Sequence, residues 1–209
     1  LSETFSHLAR SDSRVATTAS LHVEVIAEFV CPFCFIGKRR FDEALKAVRG
    51  PSEVNWYPFQ LNPEIPAEGL PRDVYLTRRF GNPANVDPVL QHLTSEGKAA
   101  GIDFRFDKLR HVPNTVAAHQ LMYLAESLGA DQSSLAEDLM SAFFEQGRNI
   151  GDRDELIKIA KAHRISADEL NDAVEAERIK ELVLTRERQG RGSGLAGGPG
   201  FLVHWRLLV

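Results

Sequence analysis

Both cysteines of this 209-residue chain fall in one C-x-x-C, Cys31-Pro32-Phe33-Cys34. An apolar run leads into it (Val23, Val25, Ile26, Phe29, Val30). A helical spacing leads out, with Phe41, Ala44, Leu45 and Val48 at i, i+3, i+4 and i+7. The first cysteine therefore belongs where a strand ends and a helix begins. This junction narrows the fold to one that packs a helix on a sheet, and it also gives the cysteines a chemistry.

The first turn of a helix carries unpaired backbone N–H groups and the positive end of the helix dipole, and both favour a thiolate. A cysteine placed there has a pKa of about 3.5–7.5, against about 8.5 when free. Pro32 suits that turn, because its missing N–H has no helical acceptor to lose. Cys34 follows one turn later on the same face. Cys31 is thus the candidate nucleophile, and Cys34 the thiol that attacks the resulting mixed disulfide.

Two other uses of a cysteine pair compete with this one. Tetrahedral zinc needs four ligands. There is no second C-x-x-C, and the seven histidines include no H-x₃₋₅-H pair, so no metal site is expected. Buried cysteines are often inert core residues, but a strand–CxxC–helix context argues for redox chemistry.

The hydrophobic fraction is 43% and the charged fraction 26%, which supports a real core without disulfide staples. The net charge of -4 gives no reason to expect nucleic acid or an anionic membrane surface as a partner. No apolar run approaches the roughly 18 residues of a membrane span. Residues 1–20 are rich in Ser and Thr and lack the basic-then-apolar order of a secretory signal. Arg10 and Arg14 lend them a faint transit-peptide character, but a flexible tail and a cytoplasmic location are the expectation.

Along the chain, 21–30 reads as a buried strand, 32–49 as a helix ended by Gly50-Pro51, and 54–59 as a second strand. This is a β-α-β unit, expected parallel and right-handed. A Pro/Gly-rich loop follows at 61–71. The pattern is then helical, with candidate helices at 72–80, 86–100, 114–129, 132–147, 152–163, 166–175 and 177–188. Asn114, Asp152 and the Ser166/Glu169 capping box mark starts, and Gly129 and Gly147 mark stops. A glycine-rich segment at 189–200 leads to 201–209, which reads as one strand. The architecture is α/β, with a helical excursion that returns to the sheet. Its domains are 21–70 with 178–209, interrupted by 71–177.

Several separate stretches together resemble the DsbA-like thioredoxin-fold oxidoreductases, and among them the FrnE-like branch. They are 31–41 (CPFCFIGKRRF), 58–63 (PFQLNP), Pro113-Asn114-Thr115 with Ala118-His119, 143–152 (FFEQGRNIGD), and 194–203. The resemblance implies a thioredoxin-like fold with a large all-helical insertion and thiol–disulfide exchange at Cys31 and Cys34. It further implies that Pro199 is cis and packs beside the cysteines, and that the backbone of Gly198 pairs with bound substrate. Taken alone, Pro199 reads as a turn proline, since only about 5–6% of X–Pro bonds are cis.

The sequence departs from the family in two places. Gly198 and Gly200 replace larger residues, which loosens that wall. Residues 204–209 do not look like the usual turn and partner strand. An open sheet edge and an uncovered face are therefore expected, with pairing to a second copy as one way to cover them.

The substrate-binding candidates are Pro32, Phe33, Asn62, Gly198 and Pro199. Asn62 also suits a turn before Pro63, and Phe33 either substrate contact or packing. Lys38 and Arg39 could attract an anionic thiol such as glutathione, although such charges are usually only solvated. Asn114 and His119 are expected to make structural hydrogen bonds, and Trp56 and Trp205 to lie in the core. No histidine lies between the cysteines, so an intermediate redox couple is expected rather than a strong oxidant.

The expected substrates are protein or low-molecular-weight thiols and disulfides. No bound cofactor is required, and glutathione is a candidate co-substrate. The alternative is a glutathione-dependent transferase or isomerase of the kappa-class or hydroxychromene-carboxylate isomerase type. Those proteins share the fold and generally carry serine where Cys31 stands. A third alternative is a non-enzymatic interaction module that uses the groove.

Overall fold

The computed structural model describes residues 20–192, 194–203 and 206–208. The expected flexible tail, apart from Ser20, and Trp205 lie outside them.

Strand β1 (Leu21–Ala27) runs into α1 (Pro32–Leu45) and returns as β2 (Ser52–Pro58). β2 is parallel to β1, from Leu21↔Ser52 to Ala27↔Pro58. A two-residue strand β3 (Leu70–Pro71) opens the helical region. There follow α2 (Arg72–Phe80), one 3-10 turn (Pro83–Asn85), α3 (Val86–Ala99) and β4 (His111–Val112). After β4 come α4 (Val116–Ser127), α5 (Gln132–Phe144), α6 (Arg153–Ala162), α7 (Ala167–Glu175) and α8 (Glu177–Gly192). The chain ends in β5 (Gly200–Val203) and β6 (Arg206–Leu208), and the main sheet is ordered β2-β1-β5-β6.

Every helix in the excursion has its expected position, with ends within a few residues of those read from the sequence. Local signals set these ends. The carboxylates of Asp131 and Asp152 cap α5 and α6, and Ser166 with Glu169 forms the capping box of α7. Gly129 and Gly147 end their helices at φ 68° and 72°, a conformation that costs a residue with a side chain. Helix α1 stops at Leu45, short of 49. Val48 is 39% exposed, so there is no burial to draw the last turn into the helix.

The sheet buries its two faces unequally. Val23, Val25 and Ala27 of β1 enter a large core with Phe35, Leu121, Leu139 and Phe144, which runs without a break from the sheet into the helices. Ile26 points the other way, into a small cluster with Phe59 and Leu195. Helix α8 covers that side, where Gly190 lies against Ile26: a Cβ on Gly190 would meet Ile26 Cγ2 at 3.2 Å.

The C-terminal stretch corrects one expectation. Residues 201–209 do not form a single strand. β5 pairs antiparallel with both β1 and β6, and β6 folds back with Phe201↔Leu208, Leu202↔Leu207 and Val203↔Arg206. Folding back pairs the run with itself, and Leu207 packs beside the small cluster. The sheet therefore has a partner strand for β5, against the expectation of an unpaired edge there. β6 is still an edge strand, with Leu208 57% exposed.

Candidate active site

Cys31 is the N-cap residue of α1, at φ −97° and ψ 114°, and Pro32 opens the helix. The Cys31 carbonyl accepts hydrogen bonds from the N–H groups of Cys34 (3.0 Å) and Phe35 (3.3 Å), closing the first turn around the motif. Both thiols are free. Cys31 is 3% and Cys34 1% exposed, whereas Phe33 between them is 47% exposed.

This arrangement separates the two thiols in acidity. The Cys34 thiol donates a hydrogen bond to Cys31, which lowers the Cys31 pKa. Burial opposes the shift, and the main-chain N–H groups of Cys34 and Phe33 add to it. Cys34 moves well above the ordinary cysteine value, chiefly through burial and also because its proton is engaged with Cys31. Cys31 is therefore the more acidic thiol of the pair, and Cys34 the one that holds its proton to higher pH.

A buried polar cluster lies beneath the pair. The main-chain N–H of Glu28 donates to Cys34 Sγ at 3.5 Å. The Glu28 side chain is almost wholly buried. It accepts from the N–H of Phe29 (2.8 Å), the N–H of Leu61 (3.1 Å) and Thr115 Oγ1 (3.2 Å). Its charge raises both thiol pKa values. His119 Nε2 lies 3.8 Å from Glu28 Oε1, and the His119 ring packs on Phe29 with centroids 4.6 Å apart. Among the described residues, that nitrogen is the one buried side-chain N or O without a hydrogen-bond partner. The cluster joins β1, α1 and α4, so the sheet and the helical region both position the cysteines.

The other candidates vary in how they meet this centre. Asn62 does two things: its carbonyl closes a turn by accepting from Ile65 N–H (3.1 Å), and its side-chain amide donates to Tyr75 Oη (3.2 Å). Pro199 packs on α1: a Cβ on Gly37 would stand 2.6 Å from Pro199 Cγ. This explains the glycine one turn beyond Cys34. The expected cis bond is corrected, because no cis peptide bond occurs among the described residues and Gly198-Pro199 is trans. Gly198 instead makes the bend with φ 71°, a conformation glycine adopts without steric cost. A Cβ there would meet nothing within 4 Å.

Lys38 and Arg39 are both engaged in ion pairs. Lys38 Nζ is buried between Asp42 (2.6 Å) and Glu137 (2.8 Å), and Arg39 also pairs with Glu137 (2.5 Å). They tie α1 to α5. Asn114 is structural, donating to the Ile65 carbonyl at 2.7 Å and accepting from Val116 N–H at 3.0 Å. Trp56 is in the core, with its Nε1–H on Ser133 Oγ at 3.1 Å. Among the described residues, no three His, Cys, Asp or Glu side chains cluster as a metal site.

Sequence reasoning missed Tyr75. It accepts from Asn62 and so keeps its own hydrogen to donate, and it is close enough to Cys31 for the thiolate charge to raise its pKa. Burial is the main cause of that upward shift. No local signal marks this residue. Its place depends on β3 pairing with β4 through Leu70↔Val112 and Pro71↔His111, which sets where α2 begins.

A strand-to-helix junction carrying an acidic thiol above a buried thiol defines a thioredoxin-fold dithiol protein. The family model of the DsbA-like thioredoxin domain matches residues 22–208, and the chain belongs to that family. It is 27% identical to the protein YwbO of Bacillus subtilis over 163 residues, 78% of this chain and 76% of that protein. The crystal structure of a probable DsbA oxidoreductase of Streptomyces coelicolor superposes with a TM-score of 0.78 at 26% identity, covering 88% of this chain and 80% of that one. The cytosolic disulfide reductase DsbM of Pseudomonas aeruginosa, solved with glutathione, shares the fold. Its TM-score is 0.66 at 19% identity, over 90% of this chain and 89% of that one.

Proposed function

We propose that the protein is a thiol–disulfide oxidoreductase acting on protein or low-molecular-weight disulfides through Cys31 and Cys34. The observation that carries this reading is the placement of the pair: Cys31 stands at the N-cap of α1, its carbonyl accepts from the Cys34 N–H one turn on, and the buried Cys34 is shifted upward in pKa while Cys31 is shifted downward. In the reducing direction the Cys31 thiolate attacks one sulfur of a substrate disulfide. A Cys31–substrate disulfide forms and one substrate thiolate leaves. Cys34 then attacks Cys31, its proton passes to a released thiolate, and the second substrate half departs. Two electrons move from the dithiol to the substrate, and the protein is left with a Cys31–Cys34 disulfide. The oxidising direction is the same sequence reversed.

Asn62, Pro32, Phe33, Gly198 and Pro199 are our substrate-binding residues, and Tyr75 joins them. The working division of the chain is 21–70 with 178–209 as the thioredoxin-like part, and 71–177 as the insertion. We place the protein in the FrnE-like branch and the cytoplasm, as a form able to pair through the β6 edge. Among the described residues no helix is long and apolar enough to cross a membrane.

The test is Cys34→Ser, which is expected to accumulate Cys31 mixed disulfides visible as protein adducts by mass spectrometry. Absence of any adduct would overturn the reading. A glutathione-conjugating activity that survives Cys31→Ser would replace it with the transferase alternative.

A further inference from the structure

A cavity of about 100 Å³ opens beside the motif. Val30 and Pro32, the neighbours of Cys31 on either side, line one part of it. Leu76 and Phe80 of α2, Leu90 of α3 and Phe144 of α5 line much of the rest. The lining residues are apolar with two exceptions, both on α2: Arg72 and Tyr75.

Arg72 is half-buried, and its main-chain N–H is bound to the Arg110 carbonyl at 3.0 Å. Its guanidinium has no carboxylate or other acceptor among the described residues, unlike Lys38, Arg39, Arg148 and Arg186, which are all ion-paired. A half-buried cation at the wall of an apolar cavity is a counter-ion site for an anion with an apolar body. Cys31 is only 3% exposed, so a small disulfide reaches it more readily than a folded protein loop.

We propose that this cavity binds the aryl half of a low-molecular-weight disulfide bearing a carboxylate, with Arg72 as its counter-ion. The proposal rests on the dithiol chemistry above and names the substrate class of that same site. Held there, the substrate presents its disulfide to Cys31. Thiolate attack breaks the S–S bond and expels one arylthiolate. Cys34 then releases the other half as in the scheme already given.

The test measures second-order rates of the reduced protein with three disulfides: dithiodibenzoate (aryl, anionic), dithiodipyridine (aryl, neutral) and hydroxyethyl disulfide (neither). Arg72→Gln is expected to slow dithiodibenzoate about ten-fold more than the other two. Arg78→Gln, on the same helix but outside the cavity lining, controls for net charge. Leu76→Trp, which fills the cavity, is expected to slow both aryl disulfides relative to hydroxyethyl disulfide. Should that variant not fold, inhibition of the hydroxyethyl disulfide reaction by benzoate, weakened in Arg72→Gln, decides the point. Equal slowing of all three disulfides by Arg72→Gln, or no slowing, overturns the subsite and leaves the dithiol chemistry standing. A reduced protein inert to all three overturns both.

Discussion

The glycine-rich approach to β5 and helix α2 both lie against neighbours of the cysteines, but they are built of different material. The first touches α1 through Pro199 against Gly37, and Gly197 lies near Leu61. It offers little beyond backbone, and Gly198 faces open space. The second offers Arg72, Tyr75, Leu76 and Phe80, all side chains that can discriminate. Main chain pairs with any thiol-bearing peptide or small molecule that reaches it, whereas side chains select. Under our proposal, substrates dock generically on the stretch before β5 and are selected by the side chains of α2.

The largest effect expected from probing this contrast comes from Gly37→Ala. The added methyl would stand 2.6 Å from the Pro199 ring, which cannot swing aside. Overpacking of this kind costs about 1–3 kcal/mol, read as a lowered Tm, and all disulfides should then react more slowly to a similar degree. An unchanged Tm would show that Pro199 does not rest on α1. A smaller effect is expected from Gly198→Ala. No atom opposes the new Cβ, so only the positive φ is penalised, by about 1–2 kcal/mol. Stability should fall while the rate ratio between different disulfides stays constant. A changed ratio would move selectivity to this wall.

The smallest effect should come from Tyr75→Phe. It removes a hydroxyl whose proton is left to donate to substrate, a hydrogen bond of about 1 kcal/mol or roughly five-fold in rate. The Asn62 amide also loses its acceptor. The variant should slow disulfide capture without moving the pH midpoint of Cys31 reactivity by the amount a Cys34 substitution does. A rate equal to the parent's would take Tyr75 out of the site.

What was legible in the sequence follows the same division. The Cys31 junction, the β-α-β unit and the helix positions are local matters of periodicity, caps and stop glycines, and a single chain carries them openly. Asp152, Ser166 and Glu169 do in the fold what their spacing promised. Features that depend on distant segments meeting were not legible. The self-pairing of β5 with β6 turns on which partner the strand finds, and alternation alone does not say. The β3–β4 ladder is two residues long, too short to leave a pattern, yet it places Tyr75 and Arg72. Lys38 and Arg39 looked like an outward-facing cationic pair. Glu137, 98 residues beyond Arg39, converts them into a half-buried strut between α1 and α5. The trans bond at Gly198-Pro199 departs from what the resemblance implied, because glycine at 198 allows the bend by another route.

The most direct measurement of the central asymmetry is alkylation of the reduced protein by iodoacetamide across pH, with mass spectrometry locating the adduct. Alkylation follows the thiolate fraction, so a lowered pKa moves the midpoint to lower pH and a raised one to higher pH. Cys31 is expected to react with a midpoint below the ordinary cysteine value, and Cys34 only well above it. In Cys34→Ala the Cys31 midpoint should rise, since the hydrogen bond that lowers it is gone. Equal midpoints for the two thiols, or Cys34 reacting first, would contradict the assignment of nucleophile and resolving thiol.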